Sequence, residues 1–186
     1  MIKPIILVLG PTGSGKSTQA KKIADFLSID HLSSGEILRE KISSGNMSKE
    51  FVQRIMRGEL CDDETIKDLI TGQIKSRLER GLVLDGYPRT ETQLESFEKV
   101  LREAGASASI IISLLLEPAD IKDRILARQR FDDNEEAIRN RLKAFKEQTA
   151  KVAEHYRQRG ILYEVDGSGD VEQVFERILK VIKEKK

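Results

Sequence analysis

The chain has 186 residues, 39% of them hydrophobic and 34% charged, a balance that excludes a disordered protein and suits one soluble globular domain spanning 1–186. A net charge of +1 excludes the broad basic field of a nucleic-acid binder, so any positive field must be local. The single cysteine, Cys61, excludes an internal disulfide and a multi-cysteine zinc site and fits a reducing cytoplasm.

The first element is the apolar run Ile5-Ile6-Leu7-Val8-Leu9, too short for a signal sequence or a membrane span. Its unbroken apolar character predicts a strand buried on both faces. Gly10 to Thr18 follow and read Gly-Pro-Thr-Gly-Ser-Gly-Lys-Ser-Thr. This is the pattern G-x-x-x-x-G-K-[ST] between a strand and a helix, a loop that holds the phosphates of a nucleoside triphosphate. Glycines such as Gly13 and Gly15 let the backbone turn its N–H groups inward. The helix that starts near Gly15 adds its positive end. Lys16 reaches the terminal phosphates, and the Ser17 hydroxyl is placed for Mg²⁺.

That helix is expected over 15–27, with Ala20, Ile23, Ala24 and Leu27 at helical spacing. A short strand at 29–32 comes next. Polar, helix-prone sequence fills 34–80, with Asp62-Asp63-Glu64 opening a helix whose apolar residues include Ile66, Ile70 and Ile74. A third strand at 82–84 ends at Asp85-Gly86, and a helix covers 90–103. A fourth, strongly apolar strand spans 109–116, and Pro118 opens a helix to 128. Asp132-Asp133-Asn134-Glu135 starts the longest helix, which Gly160 ends. A fifth strand at 162–165 precedes a last helix on Val171, Val174, Phe175, Ile178 and Ile182, with a frayed tail at 183–186.

Strands alternating with helices predict a parallel sheet covered on both faces. Ligands in such sheets sit beyond the carboxyl ends of the strands. The phosphate loop, Ser33-Ser34-Gly35, Asp85-Gly86 and Glu117-Pro118 all fall there. Asp85 stands where a phosphate-loop protein puts the acid that holds Mg²⁺, directly or through water. Arg89 presents a fork of donors that can grip a phosphate at two points. Gln93 offers one acceptor and two donors, enough to pair with a base edge. His31 and His155 are not spaced as a metal site.

Three segments together carry a resemblance. Ser33-Ser34-Gly35-Glu36-Ile37-Leu38-Arg39 resembles S-[TA]-G-[DE]-[LM]-L-R of the nucleoside monophosphate kinases, and Asp85 to Gln93 resembles D-G-F-P-R-T-x-x-Q. Arg124-x-x-x-Arg128, with Asp132-Asp133-Asn134-Glu135 and Arg141-Leu142, resembles their lid region. The chain is most similar to the adenylate kinases, over about 5–181 and in the expected motif order.

The resemblance implies an α/β phosphate-loop fold, a three-layer sandwich with a five-stranded parallel sheet. It implies a helical monophosphate-binding insertion at 34–63 and a minimal lid at 128–134. It implies reversible phosphoryl transfer from MgATP to AMP, giving ADP. ATP would be held by Gly13, Ser14, Gly15, Lys16, Ser17, Thr18, Arg124, Arg128 and Gly169. AMP would meet Ser34, Arg39, Glu59, Leu60, Cys61, Gly86, Tyr87, Pro88, Arg89, Gln93, Arg130 and Arg141. Lys16, Arg89, Arg124, Arg130 and Arg141 would surround the moving phosphoryl group, and Ser17 with Asp85 would hold Mg²⁺.

Gln93 and the hydroxyl of Ser34 match the adenylate pattern, whereas the UMP/CMP branch typically carries Asn and Ala there. A UMP/CMP kinase and a nucleotide-binding regulator without turnover remain the alternatives, and near-neutral charge disfavours an ATPase working on DNA or RNA. The implied partners are nucleotides alone, with no nucleic acid or membrane, and the implied form is a cytoplasmic monomer.

The chain departs from the family pattern at three points. Ser17 stands where Gly is common and Tyr87 where Phe is usual, a packing position. Only Gln129 separates Arg128 from Arg130, so the lid is unusually short and covers the phosphates less fully. Gly45 and Gly58 are expected as flexible points of the insertion.

Overall fold

The computed structural model describes residues 3–45, 47–128 and 130–185; for Pro118, Ala119, Lys122, Leu126 and Arg128 it describes the backbone alone. The described residues form one parallel sheet of five strands, β1 (Ile5–Leu9), β2 (Asp30–Ser33), β3 (Leu82–Asp85), β4 (Ile110–Leu115) and β5 (Leu162–Asp166). Their spatial order is β2-β3-β1-β4-β5. The helices are α1 (Lys16–Leu27), α2 (Ser34–Ser43), α3 (Lys49–Met56), α4 (Asp63–Lys75), α5 (Glu91–Glu103), α6 (Pro118–Arg128), α7 (Glu135–Ala144), α8 (Ala150–Gln158) and α9 (Val171–Glu184).

Every residue of β1 is buried, because the strand lies at the centre with a core on each side. Ile5, Leu7 and Leu9 pack with Ile66 and Ile70 of α4, Phe97 and Leu101 of α5, and Val152 and Tyr156 of α8. Ile6 and Val8 point the other way, toward Ala20 and Ile23 of α1 and Val174, Ile178 and Ile182 of α9. The period of two in the strand thus splits one apolar run between two cores. Each large side chain buried here contributes roughly 1.5–3 kcal/mol relative to exposure. Tyr156 is buried with its hydroxyl bonded to Glu98 Oε1 (2.9 Å), which satisfies its polar end.

The register sets the site. Val8 and Ser33 both lie opposite Asp85, so β1, β2 and β3 end side by side. The second strand therefore runs one residue beyond the expected 29–32, keeping Ser33 in the ladder.

The expected helix from 132 to 160 is different in two ways. It starts at Glu135, with Asn134 Oδ1 accepting the Ala137 N–H (2.9 Å) as the cap, so Asp132 and Asp133 lie ahead of it. A π-helical stretch, Phe145–Thr149, then separates α7 from α8. Such single-turn expansions gather at functional sites, and Phe145 and Thr149 line the cavity described below. At the C-terminus α9 runs through Glu184, two residues into the stretch expected to fray; Lys185 follows as a turn, and residue 186 lies outside the described residues.

Candidate active site

A cavity of about 560 Å³ opens at the carboxyl ends of the strands. That size is in the range of small-molecule sites. One wall is the loop 10–18. Gly15 precedes α1 with φ 87°, a conformation that favours glycine, and no side chain caps the helix. By contrast Asp62, Thr90, Asn134 and Asp170 each accept a backbone N–H at the start of their helices. The first N–H groups of α1 are left for an anion. The Ser14 hydroxyl is buried with no hydrogen-bond partner among the described residues, a polar group that also awaits one. Lys16 Nζ donates to the Pro11 carbonyl (2.9 Å), and Gly13, Ser17 and Thr18 complete this wall.

Asp85 sits at the floor, 3% exposed. Its Oδ2 accepts from Ser17 Oγ (2.5 Å) and Ser33 Oγ (3.0 Å). These are oxygen donors of the kind a hard divalent cation takes together with phosphates and water. Among the described residues no group of three or more His, Cys, Asp or Glu could hold a metal alone. A small cation here would depend on the nucleotide for further ligands.

Positive charge converges from five parts of the chain. Arg39, Arg89, Arg124, Arg130 and Arg141 all line the cavity. Arg89 is held on several sides: its Nε donates to the Gly86 carbonyl (2.6 Å), its backbone N–H to Gln93 Oε1 (2.8 Å), and its carbonyl accepts from Thr149 Oγ1 (3.2 Å). Burial pushes its guanidinium pKa below the ordinary value; Asp85 opposes this, while Arg141 and Arg39 add repulsion. Three guanidinium groups gathered on one cavity favour a further anion among them. Arg141 forks onto Asp132 (2.5 Å) and Asp133 (3.0 Å), and Arg124 Nη2 donates to the Gly169 carbonyl (3.0 Å). The side chain of Arg128 and all of Gln129 lie outside the described residues.

The opposite wall carries Ser34, Glu59, Leu60, Cys61, Gly86 and Gln93. Ser34 Oγ donates to the Gly86 carbonyl (2.7 Å), leaving its lone pairs as acceptors. Gln93 Nε2 donates to Asp63 Oδ1 (2.8 Å), which fixes its amide orientation. Burial pushes the Cys61 thiol up to about 12, with Asp62 adding to the shift, so it stays a neutral packing group. Two residues expected on this wall are elsewhere. Tyr87 is buried in the core edge-on to Phe97, and Pro88 is buried beside it; neither lines the cavity. The apolar ring has a core to fill, and the chain turns it inward.

Sequence reasoning did not single out Ser33, Asp63 or Thr149 as functional. Asp63 receives both Gln93 and the Thr90 hydroxyl (2.9 Å). Its acidic position at a helix start had a sufficient local explanation, which concealed the long-range one. Ser33 had a signal, since it ends a strand next to Asp85.

A family model described as adenylate kinase matches residues 8–161. The chain is 39% identical to an adenylate kinase of Synechococcus sp. (strain CC9902), over 97% of this chain and 100% of that protein. It is 37% identical to an adenylate kinase of Parasynechococcus marenigrum (strain WH8102), with the same coverage. An adenylate kinase of Micrococcus luteus is 37% identical over 95% of this chain and 89% of that protein.

Proposed function

The chain belongs to the adenylate kinase family, and from that premise we propose that it transfers a phosphoryl group reversibly between MgATP and AMP, giving two ADP, within this one cavity. It is an enzyme, a nucleotide-binding transferase. The observation that carries the assignment to this cavity is the meeting of two anion-seeking walls over Asp85: the uncapped start of α1 with Lys16, and the group of Arg39, Arg89 and Arg141.

ATP lies along the loop, its phosphates on the N–H groups of α1 and on Lys16, its base end toward Arg124 and Gly169. AMP lies against Ser34, Leu60, Cys61 and Gln93, its phosphate gripped by Arg39 and Arg89. The acceptor oxygen is already ionised, so alignment and charge do the work. Lys16 and Arg89 hold the two phosphate ends in line. Arg130 and Arg141 neutralise charge as it spreads, and Asp132 and Asp133 hold the Arg141 fork in place. Ser17 and Asp85, directly or through water, would hold Mg²⁺, which would supply neutralisation of the phosphate oxygens. Both walls belong to one chain, which supports a monomer as the working form. The lone, protonated Cys61 suits a reducing cytoplasm. No described helix is long and apolar enough to cross a membrane.

The deciding experiment measures ADP formation from ATP with AMP, CMP, UMP or GMP, with and without Mg²⁺. AMP is expected to be turned over fastest, and chelating the metal should abolish transfer. Faster turnover of CMP or UMP would overturn the reading of Gln93 and Ser34.

Residues 34–63 act as the acceptor segment and 128–134 as a lid. Residues 129–134 alone join α6 to α7, too little chain to cover the phosphates fully. Water should therefore reach them more readily than under a long lid. Slow ATP hydrolysis without AMP is expected, above that of a long-lid relative assayed alongside. A leak no greater than the relative's would mean that the arginines and helices close the site by themselves.

A further inference from the structure

The last carbonyls of a helix lack partners within it. At the end of α3 those carbonyls are met by another part of the chain. Asn134 Nδ2 donates to the Met56 carbonyl and Asn140 Nδ2 to the Arg57 carbonyl, each at 2.8 Å. The Asn134 amide cannot be turned over, because its Oδ1 takes the Ala137 N–H. Gly58 comes next, at φ 76°, pressed against α7: a Cβ there would lie 2.3 Å from the Ala137 carbonyl oxygen and 2.6 Å from its Cα. So Gly58, expected as a flexible point, is instead a point of close approach. The residues directly after it, Glu59, Leu60 and Cys61, line the cavity, and the residue after Asn140 is Arg141.

We propose that Asn140 is a positioning residue for the acceptor: with Asn134 it latches the end of α3 onto α7, holding the acceptor wall against the helix that carries Arg141. This rests on the assignment of residues 59–61 to the acceptor side. The latch is made of side-chain donors on one partner and bare backbone on the other. It therefore acts on closure and leaves the chemistry of the phosphates to other groups. Asn134 also caps α7, so its loss would damage the helix itself. Asn140 sits within α7 and has no capping duty.

The test uses Asn140→Ala, which removes the donor and suits a helix, and Asn140→Asp, which keeps the shape and sets a carboxylate against the carbonyl. Both should raise KM for AMP by roughly three- to tenfold, leave KM for ATP within about twofold, and leave kcat undiminished, since opening often limits turnover in enzymes that close. Amide hydrogen exchange in α3 of the nucleotide-free protein should speed up in both variants. Gly58→Ala, which keeps both amides and blocks the approach, should raise KM for AMP further. An unchanged KM for AMP, an equal rise for ATP, or unchanged exchange in α3 would overturn the latch. Faster exchange in the variants of an enzyme that fails to use AMP would leave the latch standing and overturn the acceptor assignment instead.

Discussion

Replacing Arg89 with lysine should lower turnover of AMP by roughly 10²–10³-fold although the charge is kept. The residue is fixed by three contacts: the guanidinium Nε donates to the Gly86 carbonyl, while its backbone N–H donates to Gln93 and its backbone carbonyl accepts from Thr149. That leaves the terminal nitrogens of a pre-set fork facing the cavity. Lysine brings one strongly hydrated point charge on a flexible stem and cannot take a phosphate at two points. It also gives up the bond to Gly86. The loss should fall on AMP, in both KM and kcat, while ATP affinity measured by calorimetry stays within about threefold. Equal losses for both nucleotides would show that Arg89 serves the shared floor around Asp85.

Lys16→Met should cut turnover by a similar factor, roughly 10²–10³, and leave the fold intact. In this structure the ammonium reaches back to the Pro11 carbonyl across its own loop. That bond is partly exposed, so its loss should cost no more than about 1 kcal/mol of stability. Methionine keeps the length and apolar volume of the stem, so circular dichroism and melting should be nearly unchanged. A variant with near-normal activity would remove Lys16 from the transfer step. One that melts much earlier would mean the lysine holds the loop together.

The loop from Gly10 to Thr18 was legible because its whole device is contiguous: glycines, cation, hydroxyl and helix start follow one another. The approach of Ser17 to Asp85, 68 residues on, was legible only through the rule that parallel strands gather their carboxyl ends, and the register of β1 with β3 is where that rule acts. What spacing could not decide was the direction of a side chain at a reversal. Tyr87 lies between two cavity residues, Gly86 and Arg89, yet turns into the core. Nor could composition separate a glycine that bends from one that admits a neighbour. Gly58 belongs to the second kind because Ala137 lies against it, and nothing near it in sequence says so.

The π-helical stretch at Phe145–Thr149 has a geometric consequence. One extra residue in a helix rotates everything beyond it by about 100°. Here it acts as a phase shift between two faces with different obligations. Upstream, α7 turns Arg141 to the cavity, where Asp132 and Asp133 take its fork; downstream, α8 turns Val152 and Tyr156 into the core against α5 and the sheet. In an uninterrupted α-helix Val152 and Tyr156 would stand about 100° away from their present setting relative to Arg141, so one face would be served at the expense of the other. The extra residue lets one continuous stretch of helix meet the core on one side and the cavity on another.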